Sequence, residues 1–146
     1  MTEGPPPDRI PGVAVLRELV AQAPDAAVLL LEARGYSQGC LLEFAAVARP
    51  AAGAGSPVLG VDFGAGVHPL EGWHAERAVR RLPDEVAATD RSTGIRVRLW
   101  LAPLPPAEGV DLVVDWPERG IHGQRWRFAT DGARYAAFES FPCLPA

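Results

Sequence analysis

Apolar and polar residues alternate most cleanly late in the chain. Ile95, Val97, Leu99 and Leu101 interleave with Arg96, Arg98 and Trp100, and Leu112, Val114 and Trp116 interleave with Asp111, Val113 and Asp115. Successive side chains of a strand point to opposite faces, so each run predicts a half-buried strand. Gln124 to Thr130 repeats the scheme, with Arg125 and Arg127 outward and Trp126 and Phe128 inward. If the loop from Ala102 to Gly109 closes the first two runs into a hairpin, Leu101 faces Val110, Arg96 meets Asp115 and Leu99 meets Leu112. Asp131 and Gly132 then read as a turn.

Upstream, Ala26 to Ala33 and Cys40 to Ala48 are apolar runs on either side of a glycine-bearing connection, the pattern of a β-hairpin. Val13 to Val20 fits a helical face and a strand equally well, Pro50 to Pro57 reads as a surface loop, and Val58 to Phe63 as a further strand. From residue 64 to 94 the β pattern fades. Within that connection Glu71 to Leu82, ended by Pro83, has the composition of a short helix carrying Trp73, Arg77, Arg80 and Arg81. So long a connection in a small domain is functional or mobile, which makes it a candidate contact surface. Short strands separated by Gly/Pro loops predict a mainly β protein: an antiparallel β-sandwich, immunoglobulin-like or similar, with a long 64–94 connection that holds a short helix. Residues 1–12, with Pro5, Pro6 and Pro7, read as a flexible tail, and 13–146 as one sandwich domain.

Composition narrows the function classes. With 146 residues, 48% of them hydrophobic and 22% charged, the chain can build a core without metal or disulfide. Every basic residue is an arginine, and 14 of them against 18 acids leave a net charge of −4, the wrong balance for a nucleic-acid partner. No apolar run approaches the ~18 residues of a membrane helix and none has the form of a secretory signal, so the expected location is cytoplasmic, without a membrane partner. Cys40 and Cys143 are far apart in sequence and read as two reduced thiols.

Trp100, the Pro103-Leu104-Pro105-Pro106 segment, Val113-Val114-Asp115-Trp116-Pro117 and Gly120-Ile121 together resemble a group of small uncharacterised actinobacterial proteins. Those proteins share a tryptophan with Pro-Leu-Pro-Pro, followed by acidic-Trp-Pro and Gly-Ile. The likeness extends more weakly over Arg34 to Ala48 and Gly60 to Phe63 and is lost in 64–94. It implies a shared fold unit and a taxonomic range, and no reaction. The prolines and Gly120 already have structural reasons to be there, as stiff turns and strand ends.

No catalytic constellation emerges. His68, His74 and His122 lack metal-ligand spacing, so neither a metal nor another cofactor is expected. Gly53-Ala54-Gly55-Ser56-Pro57 lacks the strand-to-helix setting of a nucleophile elbow, and Asp111 and Asp115 lie beside arginines that keep them ionised. What stands out is arginine beside tryptophan: Arg96, Arg98, Trp100, Arg125 and Arg127 on one expected face, and Trp73, His74 and Arg77 in the connection. An arginine ladder is ordinarily a solvated sheet face, and its sharper reading is a recognition surface. The expectation is a non-enzymatic module that binds a protein or self-associates through a sheet face. The alternative is a small-molecule binder or small enzyme with a pocket under the 64–94 connection, using Asp62, His68 and His74.

Overall fold

A computed structural model describes residues 4–50, 55–62, 67–68, 71–74, 77–89 and 91–144, with backbone alone at 67–68, 71–74 and 77–78. Its elements in chain order are β1 (Arg9–Ile10), β2 (Gly12–Ala23), β3 (Ala26–Tyr36), β4 (Gly39–Ala48), β5 (Val58–Asp62), β6 (Val67–His68), β7 (Glu71–His74), β8 (Arg77–Arg81), β9 (Glu85–Ala88), β10 (Thr93–Ala102), β11 (Val110–Trp116), a 3-10 turn (Pro117–Arg119), β12 (Ile121–Phe128), α1 (Asp131–Phe138) and β13 (Phe141–Pro142). The protein is mainly β, with antiparallel sheets packed together as in a β-sandwich. A large sheet runs in the order β2-β3-β4-β10-β8-β7 with β9 also on β10, a small one in the order β12-β11-β5-β6, and β1 pairs with β13.

The core lies between the two sheets. Val28, Leu30, Leu42, Phe44, Val97 and Leu99 from the large sheet meet Leu59, Val61, Leu112, Val114, Trp116 and Phe128 from the small one, all buried. Beyond the small sheet α1 completes this inner layer, setting Ala133 and Ala136 against β2 and β3. Its close approach needs glycine. A Cβ on Gly12 would fall on the Ala136 carbonyl, and one on Gly35 would lie 2.5 Å from the Ala137 amide nitrogen. At another corner one side chain joins the sheets: the Gln22 amide donates to Gln124 Oε1 and Gln124 Nε2 donates to the Gln22 carbonyl, each at 2.9 Å. The Gln124 amide thus stands in for a peptide unit between β2 and β12. Among the described residues no helix is long and apolar enough to cross a membrane.

Several sequence expectations are corrected. The 95–101 and 112–116 strands do not pair with each other. Arg96 faces Ala45 on one side and Glu85 on the other, Asp115 faces Val58, Leu99 faces Leu42, and Leu112 lies between Trp126 and Val61. Alternation tells which side chains turn inward but not which strand is the neighbour. Both strands serve the same core from opposite sheets, so the proline-rich 102–109 segment crosses between sheets. The 71–82 stretch is not a helix either, because β7 and β8 form a hairpin whose inner strand bonds to the open edge of β10. The short helix lies instead at Asp131–Phe138, where the expected turn has Thr130 at the N-cap and Asp131 in the first turn, favourable to the helix dipole. Ambiguous Val13 to Val20 belongs to strand β2, and within the proline-rich first twelve residues Arg9–Ile10 pair with Phe141–Pro142.

Candidate protein-interaction surface

The residues singled out in the sequence do not share one face. Arg125 and Arg127 lie on the outer side of the small sheet, opposite Val113 and Asp111. Arg125 reaches Asp62 at 2.9 Å and Asp111 at 3.4 Å, and Arg127 reaches Asp111 at 3.1 Å and the Glu108 carbonyl at 2.8 Å. Asp115 in turn accepts from the Gly123 amide at 2.8 Å, in the bulge after Val114. These charges satisfy one another, and exposed pairs of this kind add little affinity for a partner. Arg96 and Arg98 belong to the outer side of the large sheet. Trp100 shares that side but is wholly buried, edge-on to Tyr36 at 5.7 Å and packed with Leu41, Ala102 and Leu82. Gly39 makes room for the indole, since a Cβ there would lie 2.9 Å from its ring. Trp100 is therefore a packing residue and not a contact residue. The side chains of His68, Trp73, His74 and Arg77 lie outside the described residues, so the pocket imagined beneath the connection does too.

The outer side of the large sheet has two further zones. Past the Trp100 cluster runs a charged belt. Glu32 of β3 and Glu43 of β4 are cross-strand partners whose side chains keep 21% and 22% of their surface in water. A bulge puts them there: Val28 and Leu30 point inward, Leu31 is the extra residue, and Glu32 and Arg34 then turn outward while Ala33 and Gly35 turn in. Arg34 holds Glu32 at 2.8 Å, whereas Arg96 stands 3.7 Å from Glu43 and Arg98 is drawn away to the Pro83 carbonyl at 3.3 Å and Glu85 at 3.5 Å. Burial first, then the hydrogen bond and like charge of Glu32, push the Glu43 carboxyl above its usual range, against the opposing pull of Arg96 and Arg34. Val15, Arg17, Leu31 and Arg96 complete, with the two acids, a recess of about 300 Å³. Arg17 there holds φ 55°, a left-handed conformation that strains a non-glycine residue and interrupts the exposed edge of β2.

Past the belt the surface turns apolar. One cross-strand row runs Leu19, Leu29 and Ala45 and ends on the charged Arg96 and Glu85, and the next runs from Gln22 through Ala27, Val47, Gly94 and Ala87. Leu19 is 46% exposed and Val47 40%. The rows cross the central strands β3 and β4, whose inner faces are also apolar. A strand apolar on both faces ordinarily lies between two covering layers. Here the inner layer is present, and among the described residues the outer one covers only the Trp100 end.

Comparison with known protein families, with curated proteins and with solved structures found no match.

Among the described residues no group of three or more His, Cys, Asp and Glu is placed to hold a metal ion. Sequence reasoning missed the acidic pair and the apolar rows, and both left a signal. Ala26, Val28 and Leu30 set a parity that Glu32 and Arg34 break, which marks a bulge, and Leu41, Ala45 and Val47 leave Glu43 as the only polar side chain of β4's outer face.

Proposed function

We propose that the protein is a non-enzymatic β-sandwich module that works by self-association through the outer face of its large sheet. The observation that carries this reading is the pair of neighbouring apolar stretches on the outer face, Leu19-Leu29-Ala45, which ends at Arg96 and Glu85, and Ala27-Val47-Gly94-Ala87. Contiguous apolar surface of this kind marks contact sites, unlike scattered exposed residues. Charge selects a second copy as the occupant. The chain carries −4 overall, yet the belt beside the rows mixes Arg17, Arg34, Arg96 and Arg98 with Glu32, Glu43 and Glu85, so the face carries both signs and arginines of one copy meet acids of the other. Five strands about 4.8 Å apart make a face only about 20 Å wide, at the low end of stable interfaces. Association is therefore weak and reversible.

Sedimentation equilibrium from about 10 μM to 1 mM spans the affinity such an interface supports. The wild type is expected to move from monomer towards dimer, and Leu19→Lys/Val47→Lys to stay monomeric with an unchanged circular dichroism spectrum. A wild type monomeric throughout, or a double variant that associates as well as the wild type, would overturn the reading.

A further inference from the structure

Covering the face also covers Glu32 and Glu43, and the consequence for these two acids is specific. They sit directly opposite each other on adjacent strands at the centre of the belt. Like charges so placed repel, and the repulsion grows when water is removed. The charged groups around them come from every neighbouring strand: Arg17 on β2, Arg34 on β3, Arg96 and Arg98 on β10 and Glu85 on β9. Of these, Arg34 is committed to Glu32 at 2.8 Å, and Arg98 and Glu85 to each other at 3.5 Å. Arg96, at 3.7 Å, gives Glu43 only a loose partner. Two carboxylates therefore share one close guanidinium. A single proton between them removes the repulsion and supplies a hydrogen bond.

We propose that the face is a proton-gated interface: Glu43 takes up a proton, shared with Glu32, as a second copy covers the pair, so self-association strengthens as the pH falls. The gate rests on the self-association reading above and adds its regulation. Glu43's position, already above the ordinary carboxylate range in the uncovered face, moves the same way on covering, because desolvation is its leading cause. A group that binds protons more readily in the associated state draws association with it as acidity rises. Each copy contributes one such pair, so a symmetric dimer links two protons and its dimerisation constant changes by up to about a hundredfold per pH unit across the titrating range.

The experiment is sedimentation equilibrium at pH 7.5 and 5.5, with circular dichroism at both. The expected result is a wild-type dimer at least about tenfold tighter at pH 5.5. Glu43→Gln, which fixes the neutral form and keeps a donor, is expected to be equally tight at both values and close to the acid wild type. Glu32→Gln serves as the second variant and is expected to lose most of the pH dependence. A wild type that dimerises equally at both pH values overturns the gate while leaving the self-association reading intact. A wild type monomeric at both overturns the reading itself. A folded Glu43→Gln protein that keeps the wild-type pH dependence, or fails to dimerise, overturns the assignment to this pair.

Discussion

Gly35→Ala tests how α1 is seated. The new Cβ would stand 2.5 Å from the Ala137 amide nitrogen and 2.6 Å from the Ala133 carbonyl oxygen. Both are backbone atoms, which no rotamer change can move aside. Ordinary contact begins near 3.4 Å, so the helix must retreat by about 1 Å, and overpacking of this kind costs about 1–3 kcal/mol. Undocking sets the ceiling. Ala133 and Ala136 are the buried side chains of α1, and burial of their two methyl groups is worth only about 2 kcal/mol at ~0.8 kcal/mol per buried carbon group. The expected loss is therefore about 2 kcal/mol, or about 4–8 °C in Tm for a chain of this size. Guanidinium denaturation measures it, and hydrogen exchange locates it: the Arg134 amide, bonded to the Thr130 carbonyl at 2.9 Å, loses protection before those of β4 and β10. Gly132→Ala is the internal control. Its Cβ would meet Ala14 Cβ at 3.5 Å, an ordinary contact, and alanine in a helix gains about 0.5–1 kcal/mol over glycine. Equal stability of Gly35→Ala and the wild type, within about 0.5 kcal/mol, would refute a helix packed backbone-to-backbone on that strand.

Two other positions allow direct checks. Arg119 is only 8% exposed, with Nε and Nη2 buried and unpartnered and its guanidinium 5.9 Å from the Trp116 ring. The stacking is worth about 0.5–1 kcal/mol and each unmet donor costs about 1–3, so Arg119→Met is expected to raise the denaturation midpoint, and a loss of stability would contradict this balance. Cys40 is buried and free, with its thiol pushed up to about 12 by desolvation, whereas Cys143 is free and exposed. A thiol reagent at pH 8 is expected to titrate one group in the folded protein and a second only on unfolding, and rapid modification of two would place Cys40 outside the core.

The fold class was legible because each core strand in the second half keeps a strict two-residue period. Val97 and Leu99, or Leu112 and Val114, announce their faces without help from the rest of the chain. Strand neighbours were not legible, since inward-facing residues of β10 and β11 look alike whether they lie in one sheet or face each other across two. The helix was missed because Asp131-Gly132 has strong turn chemistry, which the alanines after it override only when β2 and β3 offer a glycine floor. The arginine pattern was visible but its meaning was not. The partner Asp62 of Arg125 comes from a strand more than sixty residues away, and no local pattern announces it. The bulge at Leu31 decides which way Glu32 points, and with it whether an acidic pair exists at all.

That bulge also bears on why the open face is a surface to be covered and not ordinary exposure. A single leucine or valine in water needs no explanation. Leu19, Leu29 and Ala45, however, lie side by side in one cross-strand row before it reaches Arg96 and Glu85, with Ala27, Val47, Gly94 and Ala87 in the next, and the small residues among them keep the surface flat. A sandwich that needed only its inner core could place polar residues at most of these positions without loss, as the small sheet does with Asp62, Asp111, Asp115, Arg125 and Arg127 beside Val58 and Val113. The two sheets thus differ in their outer sides while sharing one inner side. The small sheet closes its outer face with salt bridges among its own residues. The large sheet buries Trp100 at one end, leaves its acids with one close guanidinium between them in the middle, and leaves apolar rows open at the other end. Only the large sheet has something to gain from a second layer, and that asymmetry makes its outer face the place to look for contact.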